Sequence, residues 1–222
     1  MKKYLLLLIL PILSFANIGH VTVLQGEASI TRGISEITVS IGRIINKNDF
    51  ITTSTNSKLQ IVFNDNTIFT IGQNSTLKIA DFLYDENKPI ANKVQLNVLK
   101  GVFTSITGRI GQLNKSKFKL KTKSASIGIR GTTVSANQDT IICTDGSVKV
   151  TTNNGVSVNV DAGYKTNVSS GTPTKPIPIT QGDIEALDAS IKQEKPKETD
   201  DSLSGFKVTP SKYIISFDKD SK

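Results

Sequence analysis

Five lysines at alternate positions, Lys115, Lys117, Lys119, Lys121 and Lys123, form the densest run of chemistry-bearing side chains in the sequence. On an extended strand that spacing turns all five to one side, facing solvent. Stacked like charges raise the local potential, so the row suits an anionic polymer such as an acidic polysaccharide or lipopolysaccharide. It equally suits an edge strand, where lysine keeps one sheet from pairing with another. Taken alone, the row reads first as edge protection, with an anionic-ligand patch as the alternative. Nucleic acid fits poorly, because aromatic side chains do not interleave with the lysines to stack on bases.

Other residues with chemical capacity are scattered. The Arg130 guanidinium has the fork geometry to clamp a ligand carboxylate, but at a bend beside Gly131 its first role is to tie down backbone carbonyls. The chain has one cysteine and one histidine, Cys143 and His20, far apart in sequence. A nucleophilic thiol needs a base beside it, so Cys143, between Ile141-Ile142 and Thr144, reads as a small buried hydrophobe. One His and one Cys cannot make a zinc site. Asp65, Asp145 and Asp161 fall in separate predicted turns, which is not the oxygen-rich loop that calcium needs. No phosphate loop or serine elbow occurs, and nothing marks a carboxylate pair for glycoside hydrolysis. These readings point to a protein that is not an enzyme and has no cofactor or metal.

The elements that must position these groups centre on residues 117–134. Phe118, Leu120 and Thr122 alternate with lysines, whereas Ala125, Ile127 and Ile129 alternate at odd positions. Both sets face one core only if a residue near Ser124 absorbs a one-residue slip, so the stretch is a strand, a bend and a strand. Gly128 and Gly131 are expected to permit a close backbone approach or a positive φ.

The run Ala125-Ser126-Ile127-Gly128-Ile129-Arg130-Gly131-Thr132 resembles the FecR domain. So do Cys143-Thr144-Asp145-Gly146-Ser147-Val148-Lys149-Val150, the turn Asp161-Ala162-Gly163-Tyr164 and the upstream Asp49-Phe50-Ile51-Thr52-Thr53. Thr122 fits the leading threonine of that family's pattern. The resemblance covers about Asn48 to Val168, and it makes Thr122, Ile127, Gly128, Arg130, Gly131 and Thr132 motif residues with a mainly structural role. It implies a double-stranded, jelly-roll-like β arrangement.

Along the chain, Lys2 and Lys3, an apolar run from Leu5 to Leu13 and the small residues Ser14 and Ala16 make residues 1–16 a secretory signal peptide, too short to span a bilayer. No later segment approaches a membrane span. An exported chain with a single thiol has no internal disulfide, so packing must hold the fold. Residues 17–170 read as many short strands separated by turns, with Asn154-Gly155 as the strongest hairpin signal. The composite expectation is all-β, a sandwich or β-helix, with a β-solenoid as the alternative. Residues 171–222 form a proline-rich linker, a short helix from about 183 to 193 opened by a capping box at Thr180 and Asp183, a charged linker, and apolar strands at 206–208 and 213–217 that read as a terminal hairpin docking on the main domain, with a partner-binding tail as the alternative.

FecR-like regulators receive a signal from an outer-membrane transporter in the periplasm and relay it through a transmembrane helix and an anti-sigma segment. This sequence shows neither of the last two. The expectation is a stand-alone exported FecR-like domain that binds or scaffolds an envelope protein in the periplasm, in a role auxiliary to signalling, with a secreted or surface-associated location as the alternative. An anionic glycan held by the lysine row is the alternative ligand.

Overall fold

Short alternating strands dominate the computed structural model, which describes residues 17–114, 116–129 and 131–191. Residues 1–16, read above as a signal peptide, together with Lys115, Arg130 and the expected charged linker and apolar strands beyond residue 191, lie outside the described residues. In chain order the strands are β1 (Asn17–Gln25), β2 (Ala28–Arg32), β3 (Ser35–Thr38), β4 (Ile44–Asn46), β5 (Phe50–Thr53), β6 (Lys58–Phe63), β7 (Ile68–Ile71), β8 (Thr76–Leu83) and β9 (Lys93–Lys100). They continue with β10 (Phe103–Ile106), helix α1 (Arg109–Leu113), β11 (Phe118–Lys121), β12 (Ala125–Ile129), β13 (Thr133–Ala136), β14 (Thr140–Asp145), β15 (Ser147–Thr152), β16 (Ser157–Asp161), β17 (Tyr164–Asn167), β18 (Ile177–Pro178) and helix α2 (Gln181–Ile191).

Two nine-stranded sheets face each other. Sheet A runs β18-β17-β14-β13-β10-β7-β6-β1-β4 and sheet B runs β16-β15-β12-β11-β9-β8-β5-β2-β3. From β6 onward the chain lays hairpins alternately in the two sheets, so both grow in the same direction. The single strand β10 breaks this rhythm. A two-strand excursion brings the chain back at the end it left, which makes the next pairing antiparallel, whereas a one-strand excursion brings it back at the opposite end. Accordingly β11 pairs parallel with β9, and the other pairings among the described residues are antiparallel.

Period-two patterning fills the space between the sheets. Leu59, Ile61 and Phe63 of β6 are buried together with Phe118 and Leu120 of β11 and Ile127 and Ile129 of β12. Phe63 and Phe82 stack across the two sheets with ring centroids 5.2 Å apart. Each such side chain contributes about 1.5–3 kcal/mol by leaving water. The parity change at 122–125 is absorbed by a hairpin turn. The Thr122 amide donates to the Ala125 carbonyl (2.8 Å), and Thr122 Oγ1 accepts from the amides of Ser124 (3.3 Å) and Ala125 (3.1 Å).

The proline-rich segment supplies only the two-residue edge strand β18, where a missing amide donor does no harm. Helix α2 starts two residues earlier than the sequence suggested. Thr180 and Asp183 form the reciprocal cap: the Thr180 amide donates to Asp183 Oδ2 (2.8 Å) and the Asp183 amide to Thr180 Oγ1 (3.3 Å). Among the described residues, no helix is long and apolar enough to cross a membrane.

Candidate functional site

At one end of the sandwich each turn is tied to its neighbour. In the β6–β7 turn, the buried Asp65 side chain accepts from the Thr67 amide (3.0 Å), the Thr67 hydroxyl (2.9 Å) and the Ile110 amide (3.3 Å), while its carbonyl accepts from the Arg109 amide (2.7 Å). Burial raises the Asp65 carboxyl above its ordinary value, and those donors pull the other way. Thr107 carries the tie onward, since its hydroxyl donates to the Thr132 carbonyl (2.7 Å) and accepts from the Thr132 amide (3.2 Å). Next to Thr132, Gly131 has φ +71°. A Cβ on Gly146 would stand 2.3 Å from the Gly131 carbonyl oxygen. The Ala162 amide then donates to the Gly146 carbonyl (2.9 Å).

The other motif residues are equally absorbed by the fold. Asp49 is fully buried and takes a two-point contact from Arg32 (both 2.8 Å) together with the Asn46 amide (2.8 Å). Thr53 Oγ1 donates to the Gly72 carbonyl (2.6 Å) and accepts from the Ser75 amide (3.0 Å). Gly128 behaves differently from expectation. A Cβ there would meet only the Lys149 carbonyl oxygen, at 3.7 Å, so no close backbone approach demands glycine.

The lysine row also differs from its sequence reading. Only Lys119 and Lys121 lie on β11; Lys117 precedes the strand and Lys123 sits in the turn after it. Strand β11 is interior, flanked by β9 and β12, so edge protection is not its role. What the row acquires instead is company from other strands. On the outer face of sheet B, Lys119 lies opposite Gly128 and Gly128 opposite Lys149, while Lys121 lies opposite Ser126 and Ser126 opposite Thr151. Lys78 joins the second row through Asn97 and rests 4.8 Å from the Phe50 ring centroid. The missing side chain at Gly128 leaves a shallow depression lined by Lys119, Lys149, Ser126 and Thr151.

Two strand spacings, about 10 Å, separate Lys119 from Lys149 across this floor. Neither they nor Lys121 form an ion pair among the described residues. Lys93 on β9 and Lys47 in the turn after β4 are in a different state. Both hold Asp81 (2.7 and 2.6 Å); burial would raise its carboxyl, but the two ammonium groups keep it below the ordinary range. The sequence row missed Lys149 and Lys78 because cross-strand neighbours depend on sheet order. The alternation of Lys149 with Val148 and Val150 was its only signal.

Sheet A turns a different face outward. Thr22 donates to Gln60 (3.0 Å), Gln60 to Thr70 (3.4 Å), and the Thr104 and Ser135 hydroxyls share a hydrogen bond (2.8 Å). Helix α2 covers part of this face, with Ala186 and Leu187 near Thr140 and Ile142, and Lys165 bonds Asp183. Cys143 points into the core, where burial pushes its thiol up to about 11. Four strands of sheet A separate it from His20. Among the described residues, no group of three or more His, Cys, Asp or Glu side chains converges to hold a metal.

The family model described as FecR protein matches residues 49–155. Two crystal structures from Parabacteroides distasonis, each of a "putative anti-sigma factor", are similar at TM-scores of 0.49 and 0.47 with 14% and 12% identity. Each alignment covers 62% of this chain and spans 62% or 63% of the neighbour's length. No curated protein matches the chain.

Proposed function

Starting from a chain that carries a FecR-family domain over residues 49–155, we propose an exported, non-catalytic binding module that contacts a protein partner in the periplasmic cell envelope. The outer face of sheet B is the contact surface. One observation carries this reading: Lys119, Lys121 and Lys149 gather on interior strands of a sheet with no ion pair among the described residues, where edge protection gives them no purpose. Like charges gathered on one face repel one another, and an acidic partner surface offsets that repulsion. Signal relay to a sigma factor is outside this proposal; an auxiliary place in envelope signalling fits it.

A second reading has its own support. The Gly128 floor, between two ammonium groups and beside the Ser126 and Thr151 hydroxyls, is shaped for a flat ring bearing a carboxylate, as in an acidic polysaccharide.

In-cell crosslinking of the tagged protein, compared with a Lys119→Glu/Lys149→Glu variant, tests both. A protein recovered only by the unaltered chain supports the proposal. Equal recovery by both versions moves the contact off this face and overturns it. If no protein is recovered but salt-sensitive retention on an acidic polysaccharide is lost in the variant, the glycan reading replaces it.

A further inference from the structure

Each sheet has two edges, and they are not equally closed. Strand β18 has two residues and ends in Pro178, β4 has three residues and β3 four, whereas β16 has five and contains neither lysine nor proline. The Thr152 amide bonds the Val156 carbonyl and the Ala162 amide bonds the Gly146 carbonyl. In the antiparallel β15–β16 pair this phase turns the backbone groups of Val158 and Val160 toward β15 and those of Ser157, Asn159 and Asp161 away from it. A row of pairing groups therefore faces outward. The core is also incompletely covered here. Val158 is only partly buried, and Tyr164, which shares the inner face with Cys143, is 41% exposed.

The path of the chain says which segment comes next. Hairpins β13–β14, β15–β16 and β17–β18 fall in sheets A, B and A, so the next hairpin belongs to sheet B, where β16 is the growing edge. We infer that residues 206–217 supply it, pairing beside β16. Phe206 and Val208 alternate, as do Tyr213, Ile215 and Phe217, so each half offers one apolar side to the core flank left open by Val158 and Tyr164. In the sequence Thr209-Pro210-Ser211-Lys212 separates the two halves. Residues 192–205 reach up to about 45 Å when extended, ample to pass from the end of α2 around a sandwich whose sheets lie about 10 Å apart.

Amide hydrogen exchange on the full chain, read residue by residue, tests this pairing. The Ser157, Asn159 and Asp161 amides should exchange at least about 100-fold more slowly than unpaired amides, at all protein concentrations. Ile215→Pro should abolish that slowing while Val158 and Val160, bonded to β15, stay protected. Fast exchange at the three amides in the unaltered chain overturns the inference. So does slowing that survives Ile215→Pro, or slowing that disappears on dilution, which would place a second copy at the edge.

Discussion

Around Gly131 and Gly146 the Thr132 backbone and the Asp65, Thr67 and Thr107 side chains are bonded into the fold, whereas a few strands away on sheet B the Lys119 and Lys149 ammonium groups form no ion pair among the described residues. Asp65, Thr67, Thr107 and Thr132 spend their hydrogen bonds on neighbouring turns. The lysines stand on a regular sheet that would form as well with other polar residues there. The contrast separates residues that make the family recognisable from residues that can meet a partner. A turn that needs a positive φ beside a close carbonyl tolerates few substitutes. An outward strand position tolerates many, so its chemistry carries information about use.

The contrast can be broken at its strong side first. Gly146→Ala places a Cβ against the Gly131 carbonyl and Thr132 Cγ2 at φ +73°, and should cost more than about 2 kcal/mol in urea denaturation. Asp65→Ala leaves the Thr67 and Ile110 amides without their acceptor and should cost about 1–3 kcal/mol. If either variant denatures like the unaltered chain, the tied turns are not what holds that end together.

Acidity sharpens the same comparison, because two carboxylates shift in opposite directions. Burial raises Asp65, so the native chain keeps that proton longer than the unfolded one. Its contribution is full below the ordinary carboxylate value of 3.8 and is lost as pH rises through the higher folded value. Asp65→Asn should flatten the decline of stability with pH in that window. Asp183 is held at about 2, first by Lys165 and then by Thr180. Its contribution is present above 3.8 and is lost as pH falls toward 2. Proteolysis within α2 should therefore accelerate over that acidic interval, and Asp183→Asn should remove the dependence.

Smaller effects belong to the face. Gly128→Ala makes only an ordinary contact with the Lys149 carbonyl oxygen and removes a flexible residue from a strand, so stability should change by less than about 1 kcal/mol while any ligand seated on the floor binds more weakly. Lys119→Glu/Lys149→Glu should alter stability by no more than about 0.5 kcal/mol. A large loss of stability from the lysine pair would mean that the face is structural and would erase the distinction.

Much of the fold was legible because it obeys period two. The strands of β6, β11, β12 and β15 fall where their apolar alternation puts them, and the slip near Ser124 became a turn built by Thr122. The Thr180–Asp183 cap was legible for the same local reason. Sheet order was not, since it is decided by which hairpin docks on which, and this converted Lys119 and Lys121 from an edge ornament into the centre of a face. The role of Asp65 was hidden for a similar reason: its partner Ile110 is brought to it only by the crossing from β10 to β11.

The alternating hairpins bear on how the domain is made. Among the described strands no pairing spans more of the chain than that of Gly19 with Phe63, and each new hairpin lands beside one laid down shortly before. Such short-range closure lowers the kinetic barrier that slows most two-sheet proteins. It also lets the structure accrete from its N-terminal side while the remainder is still being delivered, so a polypeptide emerging gradually from a pore would not have to wait for its last residues before its first ones were protected.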